Sequence, residues 1–337
     1  MGHEDPTVRM PDAKFHHILG PEPAPAFLEE SELQSVWGAK WGAADEFSRL
    51  RTVMVRRPSK GLEEVAQLGE SAYRPDLNCY LDPNHHWYWG GHELPDLELL
   101  HSQWDNFIAA MKREGVEVVE VPEAEARFTK SVFTRDPLFT IPGGAIIGRM
   151  AARMRRGEEQ AITQTVAAQG LPILGTITGT GLAEGGSFAK VRRDLAFFGT
   201  SVRCNAEGYR QLANILEEQG IRLERVSMPG YQIHIDLCLA MLDDDLALVN
   251  SRIAPYDFLN RLSELGIETV EVEPDEDWAC NLLSLDRRKI FFPAHLVKTA
   301  EKLNSKYNVD IIPIEYREMN KNGGGLHCST MELRRDW

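Results

Sequence analysis

Five polar residues recur along this chain at a nearly constant interval, and the interval constrains the fold more than any single motif. Asp136, Glu184, His234, Asn281 and Cys328 follow one another at spacings of 48, 50, 47 and 47 residues. A fixed period of this size marks a repeat built from one supersecondary unit. The apolar pattern between junctions has one order throughout. Residues 138–141 and 145–149 read as a hairpin around Pro-Gly-Gly, 157–169 as a helix and 172–175 as a strand. The same order returns at 188–191, 196–199, 206–219 and 222–226, then at 237–242, 246–250, 256–265 and 268–272. It returns last at 282–285, 289–292, 296–306 and 309–314. Each unit is therefore ββαβ. A strand at 51–57, halted by Pro58, begins the chain's first unit, and 329–333 can supply its missing partner. The expected fold is α/β: a fivefold pseudo-symmetric ring with its five polar residues turned toward one axis.

The rest of the chain divides around that ring. Residues 1–50 carry prolines and the isolated Trp37 and Trp41 without a period, which reads as an irregular N-terminal extension wrapping the body. Residues 51–337 form a single catalytic domain. Within it, 59–96 is rich in Gly, Pro, Asn, His and aromatics, and a loop of that length is usually functional. It is a candidate lid. Asp96 can cap a helix running to about Arg113, with Gly115 at its end.

Composition excludes several roles. With 43% hydrophobic and 26% charged residues the chain matches soluble globular proteins. No apolar run reaches the roughly 18 residues of a membrane span, and early acidic and proline positions (Glu4, Asp5, Pro6, Pro21) argue against a cleaved signal. A net charge of −14 argues against nucleic acid, which needs a basic face. The five cysteines form no CxxC pair and no disulfide framework, as expected in a reducing cytoplasm.

At the junctions the residues carry chemistry. Phe133-Thr134-Arg135-Asp136-Pro137 and Glu184-Gly185-Gly186-Ser187 each place a carboxylate at a turn, and singly each is an ordinary turn. His234-Ile235-Asp236 sets a histidine and an acid on one side of a strand. Gly323-Gly324-Gly325-Leu326-His327-Cys328 delivers a cysteine on a backbone that can approach a ligand closely. Carboxylates gathered in a pocket repel one another unless a cation joins them. Zinc-type ligand spacing is absent, so neither a metal nor a cofactor is expected. A guanidinium fits better, because its planar donors match carboxylates bidentately. Held by Asp136, Glu184 and Asp236, its carbon is open to a Cys328 thiolate. His234 can protonate the leaving nitrogen and then activate water.

Taken together, these four segments resemble the guanidino-group modifying superfamily, which includes arginine deiminases, dimethylarginine dimethylaminohydrolases and amidinotransferases. The resemblance runs from about Arg51 to the C-terminus. It implies an α/β propeller with the site on its axis. It also implies Cys328 as nucleophile, His234 as acid and base, and Asp136, Glu184 and Asp236 as guanidinium holders. Attack would give a covalent thiouronium that water hydrolyses to a ureido product. A cationic His234 would lower the thiol pKa from its usual value of about 8.5, and the cationic substrate would complete the ionisation. By the same resemblance Arg155 and Arg203, each 19 residues after a junction acid, hold the substrate's anionic end. The plain reading makes residues 150–156 a basic turn entering a helix. Asn281 bonds within the ring or to substrate.

Two departures limit the match. Ser187 stands where the deiminases and dimethylaminohydrolases usually have Asp after Glu-Gly-Gly, which puts simple arginine in doubt as substrate. The stretch 85–93, with His85, His86, Trp87, Tyr88, Trp89 and His92, matches no member and reads either as a lid or as a surface loop. The expected partner is a small guanidino compound, and self-association stays open. The activity expected is hydrolysis of a guanidino C–N bond in arginine or an N-substituted relative. The alternative is amidino transfer from arginine to an amine acceptor. The adjacent His327 is expected to turn away from Cys328, as neighbours do in an extended strand.

Overall fold

The computed structural model describes residues 26–82 and 88–337. Its fold is mixed α/β, and five of its three-stranded sheets share one connectivity. In each, two antiparallel strands are followed by a helix and then by a third strand parallel to the middle one. Leu138–Ile141, Gly144–Ile147 and Ile173–Thr176 form one such sheet around the helix Glu158–Ala168. The next three sheets repeat it around the helices Ala206–Glu218, Tyr256–Glu264 and Val297–Tyr307. In the remaining one, Leu50–Val55 pairs antiparallel with the C-terminal strand Met331–Arg335 and parallel with Glu117–Glu120. The first and last strands of the described residues thus share a sheet.

The antiparallel pair of each sheet is buried on both faces, which is why those strands read as unbroken apolar runs, whereas the third strand is partly exposed. Alternate residues of one strand enter different clusters. Ile290 and Phe292 pack with Leu242, Leu246 and Leu303, whereas Phe291 between them packs with Phe107, Trp104 and Tyr316. Five such clusters lie between sheets, the last joining Leu283, Leu285 and Phe291 to Val53 and Val55. Helices seal the outside. In Leu97–Arg113 the Asp96 side chain accepts from Leu99 N, and the buried stripe Leu100, Trp104, Phe107, Ile108 and Met111 has helical spacing. Each large apolar side chain so buried contributes about 1.5–3 kcal/mol.

Two expectations are corrected. The region 1–50 is not wholly irregular: Glu30–Val36 is helical, and Trp41, Ala43 and Phe47 are buried. Only Leu33 of that helix is buried, so its sequence lacks an amphipathic stripe. Nor is 59–96 one long loop. It contains the helix Gly61–Ala66 and a small antiparallel sheet of Tyr73–Arg74, Cys79–Leu81 and Tyr88–Gly90. Tyr80 and Trp89 from that sheet are core residues. His85, His86 and Trp87 lie outside the described residues. Among the described residues no helix is long and apolar enough to cross a membrane.

Candidate active site

All five junction residues are buried, Cys328 being 7% exposed. Glu184 and His234 each precede one 3-10 turn, Gly185–Ser187 and Ile235–Leu237, that leads into the first strand of a unit. The turns bring the two side chains together: His234 Nε2 lies 2.8 Å from Glu184 Oε2. Its Nδ1 lies 3.6 Å from Asp136 Oδ1. Gly186 makes this approach possible, because a Cβ there would sit 2.6 Å from His234 Nδ1 and 2.9 Å from Asp136 Oδ1. Burial pulls the imidazole pKa down, but Asp136 and Glu184 more than offset it and raise it above the ordinary value.

The two acids are braced by arginines. Arg155 Nη1 pairs with Asp136 Oδ2, while its Nε and Nη2 take Glu158 at 3.0 and 2.7 Å. Arg203 pairs with both oxygens of Glu184, at 2.9 and 2.7 Å, and Ala151 N donates to Oε1 at 2.8 Å. Both arginines expected at the anionic end of a substrate are thus engaged by the site's own acids. Burial would raise the carboxyl pKa values. His234 and the arginines overcome it, holding Asp136 at about 2 and Glu184 below its usual range.

Around Cys328 the polar contacts come from Asn281 and Asp236. Asn281 Nδ2 donates to Sγ at 3.0 Å, its Oδ1 accepts from Cys328 N at 3.2 Å, and the thiol donates to Asp236 Oδ2 at 3.5 Å. Gly325 permits the Asn281 contact, since a Cβ there would meet Asn281 Oδ1 at 2.6 Å. Burial first, then Asp236 and Asp136, push the thiol pKa well above its ordinary value. The expected lowering by a cationic His234 is therefore absent from this state. Ser187 is buried and donates to Ile233 O at 3.2 Å.

His327 differs from expectation. The segment is a turn, closed by Ser329 N to Gly325 O and Thr330 N to His327 O, both at 3.1 Å. It is not an extended strand, and the turn brings His327 Nδ1 to 2.9 Å from Asp236 Oδ2. Sequence spacing also gave no sign of Glu158. An Arg and a Glu at i, i+3 usually mark a solvated helix end, whereas this pair is buried.

Two carboxylate oxygens stand out. Asp136 Oδ1 and Asp236 Oδ1 are buried without a hydrogen-bond partner among the described residues, and buried polar atoms are rarely left so. Asp136, Glu184 and His234 offer three ligand atoms within 4.8 Å of one another. Asp136 and Glu158 pair with Arg155, Glu184 with Arg203 and His234, and Asp236 with His327.

Comparison with known proteins agrees with this chemistry. The family model for N,N dimethylarginine dimethylhydrolase, eukaryotic, matches residues 93–335. The N(G),N(G)-dimethylarginine dimethylaminohydrolase of Pseudomonas aeruginosa is 30% identical over 244 residues, covering 71% of this chain and 90% of that protein. A cysteine-to-serine mutant structure of the Pseudomonas aeruginosa enzyme, complexed with citrulline, superposes with a TM-score of 0.68 at 26% identity over 84% of this chain and 99% of that one. The amidinotransferase SxtG from Microseira wollei shares the fold, with a TM-score of 0.69 at 18% identity over 89% of this chain and 98% of that one. The chain belongs to the dimethylarginine dimethylaminohydrolase family, hydrolases of guanidino C–N bonds within the guanidino-group modifying superfamily.

Proposed function

We propose that this protein hydrolyses a C–N bond of arginine or an N-substituted or related guanidino compound, with Cys328 as nucleophile. The carrying observation is that Asp136 Oδ1 and Asp236 Oδ1 are buried without a hydrogen bond among the described residues, while the other Asp236 oxygen holds the Cys328 thiol at 3.5 Å. A guanidinium bonded to both satisfies them and brings the cation that the thiol needs. Its charge lowers the Cys328 pKa, and the displaced proton leaves before attack. The Cys328 sulfur then bonds to the guanidinium carbon. Protonated His234 gives its proton to the leaving nitrogen, the C–N bond breaks, and a thiouronium remains on sulfur. Neutral His234 next takes a proton from water as the oxygen adds to the same carbon, and the C–S bond breaks to give the ureido product. Glu184 holds the imidazole for both steps. The five ββαβ units, in this reading, stand as a pseudo-fivefold propeller whose axis carries the site, and the free cysteines suit a cytoplasmic setting.

Amidino transfer is the second reading, favoured by the Gly-Gly-Gly-Leu-His-Cys328 segment, and differs only in which nucleophile takes the thiouronium. A panel of guanidino compounds, incubated with and without amine acceptors and read by mass spectrometry, separates the two. A ureido product with released amine or ammonia supports hydrolysis. Product formed only when an acceptor is present would sink it.

A further inference from the structure

Lys130 has no role in the chemistry above, yet it is 5% exposed and joins three parts of the molecule. Its Nζ donates to Asn322 O at 2.5 Å, on the segment that leads to Cys328. Its own carbonyl accepts from Arg155 Nη2 at 3.4 Å, and Arg155 in turn holds Asp136. The same ammonium lies 4.5 Å from the centre of the Tyr88 ring and 5.6 Å from that of Trp89, both on the small sheet. That sheet is packed in place. Trp89 is fully buried, donates from Nε1 to Glu93 O at 2.9 Å, and shares a core cluster with Val132, Phe133, Leu326 and Cys328.

The segment that carries the nucleophile has little hold of its own, since Gly323, Gly324 and Gly325 bring no side chains. Bonds to the stretch 129–135 set its path instead. Asn322 Nδ2 donates to Thr129 O at 2.9 Å, Arg135 N to Cys328 O at 3.1 Å, and Thr134 Oγ1 to Ser329 O at 3.3 Å. Gly324 lies against Phe133, whose ring a Cβ would meet at 2.4 Å. The Lys130 bond adds the small sheet to this lacing. Burial first, then Arg155 and Arg203, push the Lys130 pKa down to about 7, with Glu158 and Cys79 opposing. The ring faces of Tyr88 and Trp89 also favour the charged form.

We propose that Lys130 is a positioning residue for Cys328: its ammonium, seated on the Tyr88 ring, fixes the Asn322 carbonyl and with it the path of the glycine-rich segment. The small sheet thus serves the reaction through Lys130. For its kinetics the proposal rests on the guanidino-hydrolase reading above and gives work to a residue which that reading leaves idle. The sulfur must meet the guanidinium carbon at near-attack distance, and a shift of about 1 Å can cost about a hundredfold in rate.

The test measures kcat and KM at about pH 6.5, where the ammonium is mostly charged, with the guanidino compound that the parent turns over best. Lys130→Met should lower kcat by about ten- to hundredfold with KM nearly unchanged, and Lys130→Arg should restore part of it. Tyr88 is half-buried, so its variants should fold even where Lys130→Met does not. Tyr88→Leu should lower kcat roughly fivefold, the worth of one cation–π contact, while Tyr88→Phe keeps the ring and the rate. The double variant Lys130→Met/Tyr88→Leu should be no slower than Lys130→Met alone, because the ring then has no ammonium to hold. Parental kcat in Tyr88→Leu overturns the proposal, as does a raised KM at parental kcat or independent losses in the double variant. Labelling of Cys328 by iodoacetamide, read by peptide mass spectrometry, tests the positioning without substrate. A freed segment exposes the buried thiol, so Tyr88→Leu should label severalfold faster than the parent and Tyr88→Phe. Equal labelling overturns the role of Lys130 even where turnover stands. If no guanidino compound is turned over but labelling differs as stated, the hydrolase reading alone falls.

Discussion

Asp236 Oδ2 is shared by two neighbours in sequence: His327 Nδ1 approaches it at 2.9 Å and the Cys328 thiol at 3.5 Å. The turn at 325–330 therefore anchors both the nucleophile and a histidine on one carboxylate oxygen, leaving Oδ1 without a hydrogen-bond partner among the described residues. His327, with Asn281 Nδ2 at 3.3 Å from the same oxygen, fixes which oxygen that is. Removing its ring lets the carboxylate rotate, and the guanidinium must then pay for the reordering. His327→Ala should lower kcat/KM by about tenfold, the worth of roughly one hydrogen bond to a charged group. His327→Asn, which keeps a donor, should recover part of that loss. Steady-state kinetics on both variants decides it, and equal activity of His327→Ala and parent would show that Asp236 needs no such anchor.

The raised thiol pKa makes Cys328 a poor nucleophile until a cation binds. Iodoacetamide alkylation of the free protein should keep accelerating above pH 9, rather than levelling near the ordinary thiol value of about 8.5. Burial also raises Cys204 and Cys238 to about 12 and Cys280 well above normal. Peptide mass spectrometry of the alkylated Cys79→Ser protein reads Cys328 apart from these. A bound guanidinium should shift the ionisation downward, visible as thiolate absorbance near neutral pH in a complex with a non-hydrolysable guanidine. Cys328→Ser should lose turnover by at least about a thousandfold, since the nucleophile and its base act as one unit.

The five-unit pattern and its polar junctions were legible because strands buried on both faces, such as the one carrying Ile290, Phe291 and Phe292, leave long apolar runs at fixed intervals. What stayed hidden has equally physical causes. The strands of the small sheet are two or three residues long, too short to show a period, and Trp89 is buried through packing that no local pattern announces. His327 was assigned away from Cys328 because alternation assumes an extended chain, and the glycine-rich segment turns instead. The family resemblance put Arg155 and Arg203 at the anionic end of a substrate. Their engagement with Asp136, Glu158 and Glu184 depends on side-chain reach, which spacing does not encode.

His234 should govern the pH profile. Its pKa in the folded protein is raised: burial works against the charge, but Asp136 and Glu184 outweigh it. The ordinary value is about 6.5. The acid form that protonates the leaving nitrogen should therefore persist above that value, and kcat should fall only at higher pH. Stability follows the same sign. The His234 contribution is complete below about pH 6.5 and is lost as pH rises through the elevated folded value. His234→Gln should flatten both dependences, because Glu184 then faces a neutral amide. Denaturant unfolding between pH 6 and 9, run alongside kcat, checks the two together. An unchanged stability slope in His234→Gln would remove the titration from His234.

A second buried ion set offers a test of the framework apart from the chemistry. Glu332, on the C-terminal strand Met331–Arg335, takes Arg135 Nη2 at 2.5 Å on one oxygen and Lys190 Nζ on the other. Both cations come from other units, Arg135 from the turn before Leu138–Ile141 and Lys190 from Phe188–Arg192. One carboxylate thus ties three sheets, and its removal strands two buried positive charges. Glu332→Gln should destabilise the protein by about 3–5 kcal/mol, as expected when a buried ion pair loses one member. Burial opposes the ionised form of Glu332, but Arg135, Lys190 and Arg335 hold its pKa well below normal. Its stabilisation is then present above the unfolded glutamate value of about 4.3 and is lost as pH falls from there toward the depressed one. Urea unfolding at pH 7 and pH 3.5 should show the parent losing more stability on acidification than Glu332→Gln. Equal losses would mean that Glu332 is not the acid-sensitive tie between the sheets.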